Sequence, residues 1–156
     1  MVNSQTKELS VAAIRQGTVI DHITAGQALL IARILRLPMA DKIVTIGLNL
    51  PSKLMHTKDL IKVEGRELSP EEANQVALFA PEATISIIRD YHTVKKFAVS
   101  LPENISGFIV CPNPKCITNN ERMFSNFTVI AGQQIKVRCH YCEKIFRRDE
   151  INNFSL

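Results

Sequence analysis

Cys111-Pro-Asn-Pro-Lys-Cys116 and, after 22 further residues, Cys139-His-Tyr-Cys142 contain every cysteine of this 156-residue chain. Two close pairs bracketing one hairpin-sized insertion can bring four thiolates onto a single tetrahedral ion, a pattern that fits structural Zn2+. A closed set of four sulfurs leaves no position for water, so such a site holds the chain together and does no chemistry. The same sulfurs can hold iron, or pair as disulfides in an oxidising compartment. His140 lies between two ligands, but four cysteines already fill the sphere, and it reads as a polar loop residue. The module around them spans only about 50 residues, a size at which a core usually needs a staple.

Charge around the cysteines points the same way. Residues 100–156 carry seven Lys/Arg against five Asp/Glu, and residues 1–99 carry twelve against ten, which together give the formal +4. Four thiolates on a divalent ion bring a net −2, so the metal-loaded segment is close to neutral. Lys115, Arg138 and Lys144 adjoin the ligands and favour ionised sulfur. The overall positive charge is therefore weak support for a polyanion partner. A hydrophobic content of 46% and a charged content of 22% are ordinary for a globular protein. No apolar run approaches the roughly 18 residues of a membrane span. The first residues lack the apolar core of a secretory signal. A cytoplasmic protein is expected, with reduced cysteines and no membrane partner.

Outward from the cysteines, residues 19–22, 42–50, 59–63, 83–90 and 93–99 read as strands. Residues 24–37 read as a helix, with Thr24 as N-cap and Pro38 as its stop. A second helix starts at Ser69-Pro-Glu-Glu72, where a cap, a first-turn proline and a Ser-x-x-Glu box coincide, and runs to about Ala80. Residues 11–14 open the sheet as a strand or form helix; the pattern allows both. Strand, helix, strand, strand, helix, strand, with one strand more, implies an α+β fold. Its N-terminal part would be a ferredoxin-like α/β sandwich, a mostly antiparallel sheet with two helices on one face. Residues 108–110, 126–131, 135–138 and 144–147 give a small all-β domain around the metal. The expected boundary lies near Ser100-Leu-Pro-Glu-Asn104, giving domains 1–100 and 101–156.

One polar constellation occurs in the first domain. Asp21-His22 ends a strand, and Lys58, Lys62, Lys95 and Lys96 lie on or beside later strands. A carboxylate can accept from ribose hydroxyls while ammonium groups meet phosphates. From spacing alone the same lysines equally fit the solvated face of any half-exposed sheet. There is no phosphate-cradling Gly-x-x-x-x-Gly-Lys-Ser/Thr loop and no Gly-x-Gly-x-x-Gly, so a nucleotide would be bound without being hydrolysed. No nucleophile elbow or His-Glu-x-x-His is present, and nothing points to an enzyme.

Several stretches, in order, resemble the regulatory chain of aspartate carbamoyltransferase. They are Gly17-Thr-Val-Ile-Asp-His-Ile23, Ile46-Gly-Leu-Asn-Leu-Pro-Ser52, Lys58-Asp-Leu-Ile-Lys62, Leu78-Phe-Ala-Pro81 with Ala83-Thr84, and the cysteine module with Tyr141-Cys-Glu-Lys144. The resemblance runs from about Leu9 to Phe146. It implies a non-catalytic subunit with an N-terminal nucleotide-binding domain, paired with a second copy through that domain, and a zinc domain docked on catalytic chains of pyrimidine synthesis. It implies inhibition by CTP, assisted by UTP, and activation by ATP. Carried over by position, Asp21 and Lys62 hold the ribose and base region, and His22 and Lys96 face the triphosphate. Val11 and Val19 pack near the sugar, and backbone groups of Ile14 and Tyr91 read the base edge. Cys111, Cys116, Cys139 and Cys142 match the zinc ligands, and Asn113 matches a contact with the catalytic chain. Ala12 stands at a position where the family can have a glutamate, and Ser86 at one where it can have an asparagine, both near the implied pocket. Either Lys95 or Lys96 could reach phosphate. The rival reading is a zinc-ribbon nucleic-acid-binding protein, since the sandwich topology is also that of RNA-recognition domains. Such domains stack bases on exposed strand aromatics, and the central strands here have none.

Overall fold

The computed structural model describes residues 11–38 and 40–155. Its first half is β1 (Gly17–Thr24), α1 (Ala28–Ile34), β2 (Val44–Ser52), β3 (His56–Glu64), α2 (Pro70–Ala77), β4 (Thr84–Arg89) and β5 (His92–Ala98). The strands form one antiparallel sheet in the order β2-β3-β1-β4-β5. The first four make the expected ferredoxin-like arrangement, and β5 extends one edge as a hairpin. Ile20, Ile61 and Ile85 sit side by side across the sheet and are fully buried. They pack with Ala28, Ile31, Ala73, Val76 and Ala77 of the helices in one core. The opposite face carries Asp21 of β1, Lys58 and Lys62 of β3, and Thr84 and Ser86 of β4, while Thr18 and Asp59 are polar residues buried on the helix face.

α2 starts as its sequence predicts. The Ser69 hydroxyl accepts from the Glu72 amide at 3.2 Å, and the Glu72 carboxylate accepts from the Ser69 amide at 3.0 Å. The start of α1 differs from the reading. Thr24 ends β1, and the helix begins four residues later, behind a turn closed by Gln27 N–H donating to Thr24 O at 3.0 Å. Its end differs too. Arg36 takes a left-handed conformation (φ 57°), and two bonds close the helix, Arg36 N–H to Arg33 O and Leu37 N–H to Ala32 O. Backbone geometry thus stops α1 before Pro38 is reached. Residues 11–14 are neither strand nor helix.

The second half is a four-stranded antiparallel meander of β6 (Asn104–Ser106), β7 (Asn126–Ile130), β8 (Lys136–Cys139) and β9 (Ile145–Arg147). β6 was not foreseen; three residues between a proline and a glycine carry too little pattern. The predicted strand at 108–110 is reduced to one bridge, Ile109 with Phe154. Phe154 stacks on Phe108 (centroids 5.5 Å apart) and meets Phe79 of the first half edge-on at 5.7 Å, so apolar packing joins the two halves. No helix among the described residues is long and apolar enough to cross a membrane.

Candidate metal centre and effector pocket

The four cysteine sulfurs converge. All lie within 4.8 Å of one another, with Cys111–Cys142 and Cys116–Cys139 each at 3.8 Å. A disulfide needs about 2.05 Å, so these are free thiols. Zn–S bonds of about 2.3 Å in a tetrahedron put neighbouring sulfurs about 3.8 Å apart. The donor set therefore fits a tetrahedral, thiophilic ion. Burial is the main influence pushing the Cys111 and Cys139 thiols up, and adjacent sulfurs add to it. Burial also pushes the Cys116 thiol up, but bonds from Thr118 and the neighbouring sulfurs outweigh it and bring its pKa down to about 7. Thiolates packed this closely repel one another, and a cation between them offsets that repulsion. Thr118 Oγ1 donates to Cys116 Sγ at 3.2 Å, a contact the sequence reading missed.

The loops that carry the sulfurs are tied down locally. The Asn119 amide donates to Cys111 O and Asn113 O, and the Asn120 amide to Cys116 O and Pro114 O. Asn113 Oδ1 accepts from Lys115 N–H at 3.1 Å, which fixes the tip of the first loop. On the other pair, Glu143 N–H donates to Cys139 O, and Glu143 turns the chain with φ 61°. His140 Nε2 lies 2.6 Å from Thr128 Oγ1, so its ring is engaged outside the sulfur cluster, as a loop residue would be.

The second constellation forms on the open face of the large sheet. Strand register lines up Lys62, Val19, Ser86 and Lys96 across β3, β1, β4 and β5. Asp21 and Thr84 form the next rung. β1 contains a bulge: Ile20 pairs with Ile61 and Ile23 with Asp59, leaving Asp21 and His22 opposite Leu60 alone. An ordinary strand would send Asp21 and His22 to opposite faces. The bulge, with His22 at φ 57°, keeps them together. His22 Nδ1 is 3.2 Å from Thr84 Oγ1 and 3.8 Å from Asp21 Oδ2. Asp21 Oδ1 accepts from the His22 amide at 2.7 Å and from Lys58 Nζ at 2.8 Å.

Electrostatics follow this geometry. Burial pushes the Asp21 carboxyl up, but the Lys58 and His22 hydrogen bonds and their charges outweigh it, and its pKa lies below the usual carboxylate value. Burial lowers the Lys62 pKa, against an opposing pull from Asp21. Lys62 Nζ donates to Ala12 O at 2.6 Å and Val11 O at 3.3 Å, which brings the segment before β1 over this face. Ile14 is buried. Tyr91 lies in the β4–β5 turn, where Asp90 and Tyr91 both have positive φ, and its amide donates to Arg15 O at 3.0 Å. The Tyr91 amide is thus spent on the chain. Lys95 pairs with the buried Ile87, and its Nζ lies over the Phe97 ring at 5.2 Å, on the helix face. Lys96 shares the Asp21 face. Lys58, named among the lysines but not carried into the pocket, is the one that touches Asp21, and Thr84 was missed.

Comparison with known proteins decides what carries these two sites. Two family models match, the aspartate carbamoyltransferase regulatory chain allosteric domain over residues 9–100 and the metal binding domain of the same chain over residues 103–152. The chain belongs to the aspartate carbamoyltransferase regulatory chain family. The regulatory chain of Pyrococcus abyssi is 51% identical over 146 residues, covering 92% of this chain and 96% of that one. That of Methanothermobacter thermautotrophicus is 46% identical, covering 94% of each. That of Tolumonas auensis is 45% identical, covering 96% of this chain and 97% of its own. As a member of this family the chain is a regulatory, non-catalytic subunit, and its partner is a catalytic chain. The sulfur cage lies inside the matched metal binding domain and the Asp21 face inside the matched allosteric domain.

Proposed function

We propose that this subunit binds CTP and UTP as inhibitors and ATP as activator on the open sheet face, and relays their binding to catalytic chains through a zinc domain. Asp21 and Lys62 hold the ribose and base region, His22 and Lys96 face the phosphates, and Val11 and Val19 pack near the sugar. Main-chain groups of Ile14 and Tyr91 read the base; with the Tyr91 amide engaged by Arg15, its carbonyl is the group on offer. The observation that carries this reading is the β1 bulge. It places a carboxylate and an imidazole together, on the face that register also gives to Lys62 and Lys96. Cys111, Cys116, Cys139 and Cys142 hold Zn2+, which supplies rigidity and no reaction.

The Asn113 loop, fixed by its hydrogen bonds, meets the catalytic chain. Two regulatory chains pair through the N-terminal domain, where Leu29, Ile43, Leu48 and Leu54 are exposed. The complex works in the cytoplasm, in pyrimidine synthesis. A nucleotide acts by binding two assembly states unequally, and a coupling of roughly 1–3 kcal/mol gives regulation of this kind. Domains 1–100 and 101–156 divide the two tasks. Against a nucleic-acid role, the rungs of the open face among the described residues, including Lys62, Val19, Ser86 and Lys96, bear no aromatic platform.

The register gives a sharp test. CTP affinity of the full chain, measured by titration calorimetry, falls in Lys96→Ala and stays within twofold of wild type in Lys95→Ala. Equal effects of the two substitutions refute the pocket.

A further inference from the structure

Asp59 is fully buried, and it lies on the helix face of β3, opposite in sense to Lys58 and Leu60. Its neighbours on both sides break register at its level. β1 carries its extra residue between the pairs Ile20–Ile61 and Ile23–Asp59, and β2 carries one between Gly47–Leu60 and Leu50–Lys58. Two bulges thus flank one residue, and its carboxylate reaches both. Oδ1 accepts from Asn49 N–H at 3.0 Å, inside the β2 bulge, where Asn49 has φ 55°. Oδ2 accepts from Gly26 N–H at 2.9 Å and Ala28 N–H at 3.2 Å, in the turn that follows the β1 bulge. Gln27, the residue at the N-cap of α1, offers no side-chain bond, so Asp59 takes over that task from another strand.

The β1 bulge is what sets Asp21 and His22 on one face. A strand relieved of its extra residue moves every side chain beyond that point to the other face. Chain on the far side of the bulge is fixed by the Ile23–Asp59 pairing and by the two bonds to Asp59 Oδ2. We infer that Asp59 is a positioning residue for the effector pocket: its buried carboxylate ties both bulges down, and the β1 bulge so held projects Asp21 and His22 together beneath the nucleotide. The inference rests on the nucleotide reading given above for its functional consequence, while its structural half stands alone. Three N–H donors meet this carboxylate, and an asparagine has one carbonyl oxygen to offer them. Asp59→Asn therefore keeps the shape and loses acceptors.

Two measurements on the full, metal-loaded chain test it, both well below the melting temperature of every variant. The first is amide hydrogen exchange in Asp59→Asn without nucleotide. Protection falls at Gly26 or Asn49, and with it at the His22 amide, whose bond to Asp21 Oδ1 is made within the bulge. Unchanged protection at His22 overturns the inference, whatever nucleotides do. The second is a double-mutant cycle on CTP affinity. Asp59→Asn weakens binding by about tenfold in the wild-type background, the scale of one hydrogen bond lost from a misplaced Asp21 or His22. In an Asp21→Ala/His22→Ala background the same change has little further effect, because there is nothing left to position. Equal losses in both backgrounds show general destabilisation and overturn the inference. A wild-type chain that binds no CTP removes the nucleotide reading instead, and the exchange experiment still decides the role of Asp59.

Discussion

Removing the metal should unfold one half of this chain and spare the other. The four sulfurs lie within 4.8 Å of one another, and the two pairs at 3.8 Å match the edge of a tetrahedron with bonds of about 2.3 Å. Structural zinc held this way contributes about 10–16 kcal/mol at neutral pH. That equals or exceeds the whole stability of an ordinary domain, about 5–15 kcal/mol. The sheet β6–β9 has few large buried side chains of its own, chiefly Ile105, Phe108, Ile109, Phe127, Val137 and Phe146. The first half keeps its own core of Ile20, Ile31, Ile61, Val76 and Ile85 and gives up contacts at the junction, such as the Phe154 ring against Phe79. Chelation, or Cys116→Ala, is expected to erase amide protection at Val129, Cys139 and His140 while leaving Ile20, Ile61 and Ile85 protected. The chain has no tryptophan and two tyrosines, Tyr91 and Tyr141. In Tyr91→Phe the emission of Tyr141, between two ligands, becomes a single reporter of the centre. Association with catalytic chains should fail with the same metal dependence. A metal-free chain that keeps β7–β8 protected and still assembles refutes the staple.

Other consequences concern the first domain. Lys62→Ala removes an ammonium whose bonds to a bound nucleotide are worth about 1.5–3 kcal/mol, so CTP binding weakens by roughly 10- to 150-fold and CTP inhibition with it, while assembly with catalytic chains persists in a sedimentation assay. The Asp21 pKa is depressed in the folded state, so the stability from its bonds to Lys58 and His22 is present above the unfolded carboxylate pKa and is lost as pH falls through the folded one. Denaturant titrations from pH 6 down to pH 2 should therefore show a shallower acid loss in Asp21→Asn than in wild type. Ser69→Ala deletes half of the box that starts α2 and should lower stability by about 1 kcal/mol, read as a fall in thermal midpoint with metal content unchanged.

Local chemistry was legible in the sequence, and long-range register was not. The cysteine spacing carries its own geometry, and the Ser69–Glu72 box closes within four residues, so both read directly. The start of α1 did not, because its cap is supplied by Asp59 of β3, 33 residues from Gly26. Thr24 looked like a cap and is instead the last residue of a strand. Asp21 and His22 were recognised as a pair, yet alternation would have put them on opposite faces. Only the bulge, set by pairing with β3, reverses that. The choice between Lys95 and Lys96 likewise needs the pairing of β5 with β4, which no run of seven residues encodes. Lys58 was one lysine among four until its 2.8 Å bond to Asp21 set it apart.

Regulation itself is the most direct test. Purified catalytic chains are mixed with this chain, metal content and subunit ratio are verified, and carbamoyl-aspartate formation is followed at subsaturating aspartate. CTP is expected to slow the complex and ATP to accelerate it, with neither acting on catalytic chains alone and the CTP effect weakened by Lys62→Ala. A fully assembled, metal-loaded complex whose rate is indifferent to both nucleotides would contradict the account.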